Sequence, residues 1–105
     1  SKEFGKADAE EMRQAEIFIK TFADKNLSKV CGEIKSNAEN VISFSETGKT
    51  CSIETEKTVD EIAVDEIYKI VENGKIYQLK IEVLKDFRED YDERIETILE
   101  SFQVK

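Results

Sequence analysis

The sequence predicts an α+β fold, an antiparallel sheet of about five strands with an N-terminal and a C-terminal helix packed on it. Two observations carry this prediction. Apolar residues recur at helical spacing near both ends of the chain, and the segment between them holds strand-forming runs around Gly-containing turns. The length of 105 residues indicates a single domain, residues 1–105, in which residues 1–6 form a loose lead-in.

The first helix is predicted within the first 25 residues, after the lead-in. Asp8 and Glu11 have the spacing of a capping box, with Asp in place of the usual Ser or Thr. One helical face carries a stripe of apolar residues, namely Met12, Ala15, Phe18, Ile19 and Phe22. Lys25 and Asn26 suit the end of a helix, because a cation is favoured there and Asn tolerates the left-handed conformation.

The first strand is predicted at residues 27–35, and a polar loop follows at residues 36–40. The next two strands lie on either side of Thr47-Gly48, which we expect to form a two-residue loop. This loop gives the pairs Phe44 with Cys51 and Ile42 with Ile53. Both pairs place apolar residues on one face of the sheet. Residues 57–60 are predicted to form the next turn.

The strongest hairpin signal is Asn73-Gly74, flanked by runs of β-branched and aromatic residues within residues 62–84. With Asn73 and Gly74 as the loop, the predicted pairs are Ile70 with Tyr77, Tyr68 with Leu79, Glu66 with Ile81 and Val64 with Val83. Most of these pairs bring apolar residues together on one face. We therefore expect one apolar face of the sheet, covered by both helices.

The last helix is predicted to begin at about Asp86, where Asp86 and Glu89 repeat the capping-box spacing. Its apolar stripe consists of Phe87, Tyr91, Ile95, Ile98, Leu99 and Phe102. The opposite side is rich in Glu, Asp and Arg, so this helix should bury one side and expose the other.

The net charge of −8 bears on the partners of the protein. Nucleic acids and anionic membranes are bound through basic surfaces, so we expect neither as a partner. No apolar run is long enough to cross a bilayer, and no signal-peptide pattern is present, so we expect no direct membrane insertion. The chain begins with Ser1 and not with Met, so we expect it to be a processed or engineered fragment.

The chain contains no His, which excludes Ser-His-Asp triads and Cys-His nucleophile pairs and argues against a catalytic zinc site. Its four Gly residues are isolated, so no Gly-rich phosphate loop is present. We therefore expect no enzyme activity, no cofactor and no metal site.

Glu66 is a candidate pocket carboxylate, because the predicted register places it on the apolar face of the hairpin. If it is buried, its pKa should be raised and it could act as a base. The alternative is a position near the sheet margin, where the side chain reaches water.

Cys31 and Cys51 also have two interpretations. An even number of Cys residues without a Cys-x-x-Cys motif fits one disulfide in an exported domain. In a simple meander, however, the strands that hold them lie two apart, about 10 Å, which is too far for a disulfide. They would then be two reduced, half-buried thiols.

The C-terminal third resembles the end of PsbP-like domains. The likeness is carried by Gly74-Lys75-Ile76-Tyr77-Gln78-Leu79, Asp86-Phe87 and Ile98-Leu99-Glu100-Ser101-Phe102. It implies an α-β-α sandwich around an antiparallel sheet. It also implies a non-enzymatic accessory or binding protein, often exported or lipid-anchored in bacteria. The order of a first helix followed by a meander is similar to that of cystatin-like and nuclear-transport-factor-like domains.

Three functions follow as expectations. The first is a non-catalytic accessory or protein-binding module, the extracytoplasmic soluble domain of an exported protein or a lipoprotein, whose partner is another protein. The second is a pocket domain of the nuclear-transport-factor-like or cystatin-like kind, in which Glu66, Tyr68 and Tyr77 line a site for a small apolar ligand. The third is an acidic inhibitor or immunity protein that docks on a basic partner.

Overall fold

The computed structural model describes residues 14–23 and 26–102. They form a five-stranded antiparallel sheet, with an α-helix after the first strand and another at the C-terminal end, which confirms the α+β class. The elements are β1 (Ala15–Phe22), α1 (Leu27–Asn37), β2 (Asn40–Thr47), β3 (Thr50–Val59), β4 (Ile62–Asn73), β5 (Lys75–Leu84), a 3-10 turn (Lys85–Phe87) and α2 (Arg88–Ser101). The predicted lead-in, residues 1–6, lies outside the described residues, as does the predicted cap at Asp8 and Glu11.

The predicted first helix is wrong where the structure describes it, because Ala15–Phe22 is strand β1. The segment contains Ile17, Phe18, Ile19 and Phe22, residue types that favour extended backbone. Apolar residues so close together match both a helical and an alternating pattern. Pairing with β5 along its whole length decides for the strand.

The predicted first strand is wrong as well, because Leu27–Asn37 is helix α1. Asn26 is not the end of a helix but the N-cap of α1, and its side-chain oxygen accepts a hydrogen bond from the Lys29 N–H at 2.8 Å. Leu27, Val30 and Cys31 are buried on one side of α1. The sequence contains both patterns, because Leu27, Val30 and Cys31 have helical spacing while Val30, Gly32 and Ile34 alternate as in a strand.

The sheet order is β1-β5-β4-β3-β2, so α1 carries the chain from one edge of the sheet to the other. The two helices cover opposite faces, which corrects the expectation that both lie on one face. On the face toward α1, the core contains Leu27, Val30, Cys31, Cys51, Ile53, Ile70 and Ile76. On the face toward α2, it contains Ile67, Leu79, Ile81, Val83 and Ile95.

The register of the β4–β5 hairpin differs by one residue from the prediction. Asn73 pairs with Lys75, and Gly74 alone makes the bend with a φ of +79°. Ile70 therefore faces Gln78, not Tyr77. The odd-numbered apolar residues of β5 turn away from Glu66 and Tyr68 and are buried beneath α2, not exposed to water.

The β2–β3 hairpin is shifted by two residues, because Thr47 pairs with Thr50 and the loop is Gly48-Lys49. A shift of two preserves the face, so Phe44 lies opposite Ile53, not Cys51. The register changes again between Val41 and Ser43, where β2 has a bulge.

The predicted turn at residues 57–60 lies later in the chain, at Asp60 and Glu61, between the paired residues Val59 and Ile62. Both turn residues have positive φ, 52° for Asp60 and 70° for Glu61.

The C-terminal helix is confirmed, although its first turn differs from the predicted capping box. The residue before α2 is Phe87, and no side chain caps the helix there. Instead, Arg88 anchors α2 to the sheet through ion pairs to Glu54 at 2.7 Å and Asp65 at 3.0 Å. None of the described helices is both long enough and apolar enough to cross a membrane.

The Glu61 position generates a test of the fold. An L-residue with a side chain in the left-handed region costs about 1–2 kcal/mol, and only Gly avoids this cost freely. We expect Glu61→Gly to raise the free energy of unfolding by about 0.5–1 kcal/mol, after the added entropy of the unfolded chain is subtracted. Urea denaturation measures this change.

The matched control is Glu72→Gly, at a position in β4 whose backbone φ is not positive. The same substitution should lower the free energy of unfolding there, because Gly weakens a strand. Equal effects at both positions would show that the turn is not strained.

Candidate functional site

The predicted pocket carboxylate, Glu66, lies on the α1 face of the sheet, where it is only 7% exposed. Its partner across β4 and β5 is Glu82 and not Ile81. Lys57 and Lys80 lie beside the two carboxylates, so the four side chains form a cluster that we call the ion-pair ring.

Each Lys in the ion-pair ring contacts both carboxylates. Lys57 Nζ lies 3.1 Å from an oxygen of Glu66 and 3.1 Å from one of Glu82. Lys80 Nζ lies 3.1 Å from Glu66 and 3.0 Å from Glu82. The Thr55 hydroxyl donates to the other oxygen of Glu66 at 3.0 Å. The ring is thus closed and carries no net charge.

The ring determines the protonation of Glu66. Burial alone raises the pKa of this carboxyl. Hydrogen bonds from Lys57, Lys80 and Thr55 outweigh burial, so the pKa lies below its ordinary value. The predicted raised pKa is therefore wrong. Burial lowers the pKa of Lys80, but hydrogen bonds to Glu82 and Glu66 raise it above its ordinary value. A carboxylate and an ammonium held in these states are poor proton carriers near neutral pH.

A cavity of about 220 Å³ adjoins the ring below the C-terminal end of α1. It is lined by Ile34, Asn37, Ala38, Glu39, Lys57, Glu66 and Tyr68. Tyr77 is not among them, because the shifted register places it on the opposite face of the sheet. Sites for small ligands usually occupy about 300–1,000 Å³ and are mostly apolar, so this cavity is both small and polar for a ligand site.

Cys31 and Cys51 are brought together and joined in a disulfide, with Cα atoms 6.7 Å apart. Both residues are fully buried. The expected separation of about 10 Å applies only if Cys31 lies on a strand. Because Cys31 lies on α1, which packs above β3, the two residues meet across layers and not across strands.

Strand β2 is a surface that the sequence reasoning did not identify. All eight residues of Asn40–Thr47 are exposed, and the apolar ones include Ile42 at 50% and Phe44 at 39% exposure. Among the described strands, β2 pairs only with β3, so its outer backbone edge meets no other strand of the sheet. We call this surface the β2 edge. The sequence predicts that Ile42 and Phe44 lie on an apolar face of the sheet, and no local signal places this strand last in the sheet order.

Helix α1 supports the β2 edge from one side. Lys35 Nζ lies 4.1 Å from the centre of the Phe44 ring. The Ser28 hydroxyl donates to a carboxylate oxygen of Glu46 at 2.9 Å. These contacts fix Phe44 and Glu46 on the α1 face, so the disulfide that holds α1 in place also stabilises the edge indirectly.

Comparison with known proteins gives a fold but no function. No family model matches the chain, and no curated protein matches it. The chain is similar in structure to PA94, a Pseudomonas aeruginosa protein of unknown function for which a regulatory role is suggested, with a TM-score of 0.70. The likeness covers 87% of this chain and 73% of PA94 at 4% sequence identity. At that identity the likeness shows the fold alone.

The ion-pair ring generates a prediction of stability. In Glu66→Gln, Lys57 and Lys80 lose one of their two carboxylate partners and keep only Glu82. Removing one partner of a buried ion pair leaves the charge of the other partner uncompensated. We expect the free energy of unfolding at pH 7 to fall by about 2 kcal/mol, because the ring is only partly buried. Urea denaturation measures the loss.

The matched control is Glu82→Gln, which contacts the same two Lys residues but is more exposed, so its loss should be smaller. The pH dependence has a definite sign. The folded pKa of Glu66 is lowered, so its contribution is present above the unfolded pKa of 4.5 and is lost as the pH falls through the folded value. The difference between wild type and Glu66→Gln should shrink on acidification, and a growing difference would contradict the ring.

The disulfide generates a second stability prediction. Its Cys residues are separated by 20 positions, and closing a loop of this size should stabilise the fold by about 3 kcal/mol. We expect complete reduction to lower the urea midpoint accordingly, with a control in which the oxidised protein is carried through the same denaturation. An unchanged midpoint would mean that the bond does not restrict the unfolded chain.

Proposed function

We propose that the protein is a non-catalytic, protein-binding module whose recognition surface is the β2 edge. Its setting is the soluble domain of an exported or lipid-anchored bacterial protein. The observation that carries the proposal is the exposure of Ile42 and Phe44 on a strand that, among the described strands, pairs on one side only. An extended segment of a partner can add to such an edge as a further strand.

The composition of β2 supports this role. Natural edge strands are commonly protected by Lys, Pro or inward-pointing charges against pairing with other chains. Strand β2 contains no Lys, Arg or Pro, and its only charged residue is Glu46. The bulge between Val41 and Ser43 is a protective feature, and it lies near one end of the strand.

The ion-pair ring supports a role without catalysis. Glu66 was the best sequence candidate for a base, but it is ionised and paired with both Lys57 and Lys80. The sequence has no His to act in its place. The polar cavity beside the ring also gives little support to the alternative of a pocket for an apolar ligand.

The buried disulfide supports a location outside the reducing cytosol, because disulfides persist in oxidising compartments. The likeness of the C-terminal third to PsbP-like domains points to the same setting.

A site-specific photo-crosslinker at Phe44 tests the proposed surface in the source cells. We expect it to capture a discrete protein product, and Ile42→Lys in the same chain should abolish the product, because the added charge would face the incoming strand. Mass spectrometry of the crosslinked band identifies what was captured.

The control places the same crosslinker at Ile19 on β1, the opposite edge of the sheet, which is also exposed. Products at Ile19 but none at Phe44 would move the recognition surface to β1 and refute the assignment to β2.

A further inference from the structure

We infer that two copies of this chain associate through strand β1, paired antiparallel about a two-fold axis at Phe18. The association goes beyond the proposed role of the β2 edge, because β1 is the opposite edge of the sheet. It joins the two sheets into one continuous sheet and leaves a β2 edge at each of its ends.

Strand β1 is a regular edge strand with an apolar surface. Among the described strands it pairs only with β5, and the register of Ala15–Phe22 is constant along its whole length. This segment therefore has no bulge, and it has no Pro, two features that keep edge strands from pairing. Three consecutive apolar residues on it are exposed, namely Ile17 at 52%, Phe18 at 41% and Ile19 at 69%.

A hydrogen bond at the start of β1 determines which of its backbone groups face outward. The Leu84 N–H donates to the Gln14 carbonyl at 2.9 Å, so Gln14 and Leu84 form a hydrogen-bonded pair of the β1–β5 ladder. Because hydrogen-bonded and non-hydrogen-bonded pairs alternate, the even-numbered residues of β1 direct their backbone groups toward β5. The odd-numbered residues, including Ile17 and Ile19, direct theirs outward, where a second strand can bind them.

The side chains of β1 are complementary to themselves when the axis lies at Phe18. Ile17 of each copy then forms a hydrogen-bonded pair with Ile19 of the other, and their side chains cover each other on the α2 face. On the α1 face, Glu16 lies opposite Lys20 of the second copy. The two Phe18 side chains meet at the axis as an aromatic pair.

The neighbouring registers lack this complementarity. An axis at Ile17 places Glu16 opposite Phe18, and an axis at Ile19 places Lys20 opposite Phe18, so opposite charges do not meet. An axis at Glu16 or at Lys20 places like charges directly opposite each other, which is destabilising. A Lys on an edge strand ordinarily discourages pairing, and the register at Phe18 is the one that supplies it with a carboxylate.

The cavity between β1 and α2 supports a partner at this edge. It has a volume of about 310 Å³, and its apolar lining includes Ile17, Ile81, Ile95 and Ile98. In the dimer, Ile19 of the second copy lies beside Ile17 and extends the apolar floor of this cavity. Helix α1 packs mainly on β3 and β4, and α2 packs mainly on β5, so both helices leave the β1 edge accessible.

Single-cysteine crosslinking tests the position of the axis. Phe18→Cys places two thiols in a non-hydrogen-bonded pair across the axis, with Cα atoms about 4.5 Å apart, within the range of a disulfide. The control Thr21→Cys, also at an exposed position of β1, holds its thiols about 20 Å apart in this register. The native cysteines are buried and bonded to each other. We expect mild oxidation to give a covalent dimer of Phe18→Cys at least tenfold faster than of Thr21→Cys.

A charge swap tests the register in sedimentation equilibrium, with protein up to about 1 mM because a single strand pair is a small interface. Glu16→Lys and Lys20→Glu each place like charges opposite each other, and each should weaken dimerisation about tenfold. The double variant restores opposite charges and should return the dissociation constant to within about threefold of the wild type. The control Ile42→Lys, on β2, should leave dimerisation unchanged.

The swap separates local pairing from general repulsion. The wild-type chain carries −8, Glu16→Lys makes it less negative and Lys20→Glu makes it more negative. General repulsion would therefore strengthen the association of Glu16→Lys and weaken that of Lys20→Glu. Opposite shifts of the two single variants, or a double variant as weak as either, would overturn the pairing of Glu16 with Lys20. Equal or faster crosslinking of Thr21→Cys would overturn the axis at Phe18.

A wild type that stays monomeric up to about 1 mM would overturn the association itself. This outcome is distinct from a failure of the proposed function. A monomer that is still captured by a partner through the crosslinker at Phe44 would retain the β2 edge and refute the pairing of β1. A dimer with no product at Phe44 would retain the pairing of β1 and refute the role of the β2 edge. In the dimer, the crosslinker at Ile19 should capture the chain itself, at twice its mass.

Discussion

The structure depends on a sheet that is apolar on both faces. Successive residues of a strand point to opposite sides, and in β4 both Ile67 and Ile70 are buried although they face different helices. A sheet of this kind exposes an apolar face unless each side is covered. The chain supplies one helix to each side, by crossing the sheet with α1 between its two edge strands and returning with α2 after the last strand.

This two-sided burial explains the register of the β4–β5 hairpin. If only one face of the sheet were buried, the observed shift of one residue would expose Leu79, Ile81 and Val83 to water. The two-residue loop would then be the favoured hairpin. With α2 on the second face, those residues form a core of their own. The shift also places Glu66 opposite Glu82 and between two Lys side chains. The ion-pair ring is therefore a consequence of the register that the second helix permits.

Strand order has a similar consequence for the surface. The chain reaches β2 only after α1 has crossed the sheet, so β2 pairs with β3 and with no other strand in the described part of the chain. Ile42 and Phe44 then lie at an edge and not in a core. The disulfide joins α1 to the strand beside β2, because Cys31 lies on α1 and Cys51 lies on β3. Helix position, edge exposure and the disulfide thus belong to one structural unit.

The sequence by itself determined the α+β class, the approximate positions of the β2–β3 and β4–β5 hairpins and the amphipathic C-terminal helix, because hydrophobic period and Gly-containing turns are local signals. It misassigned residues 15–37, where closely spaced apolar residues fit two periods and only pairing with β5 and packing of Cys31 choose between them. It identified Glu66 and the two cysteines as residues of interest, but not their states. Those states are set by partners distant in sequence, Lys80 for Glu66 and Cys51 for Cys31. Register and layer order bring such partners together, and these are properties of the tertiary structure alone.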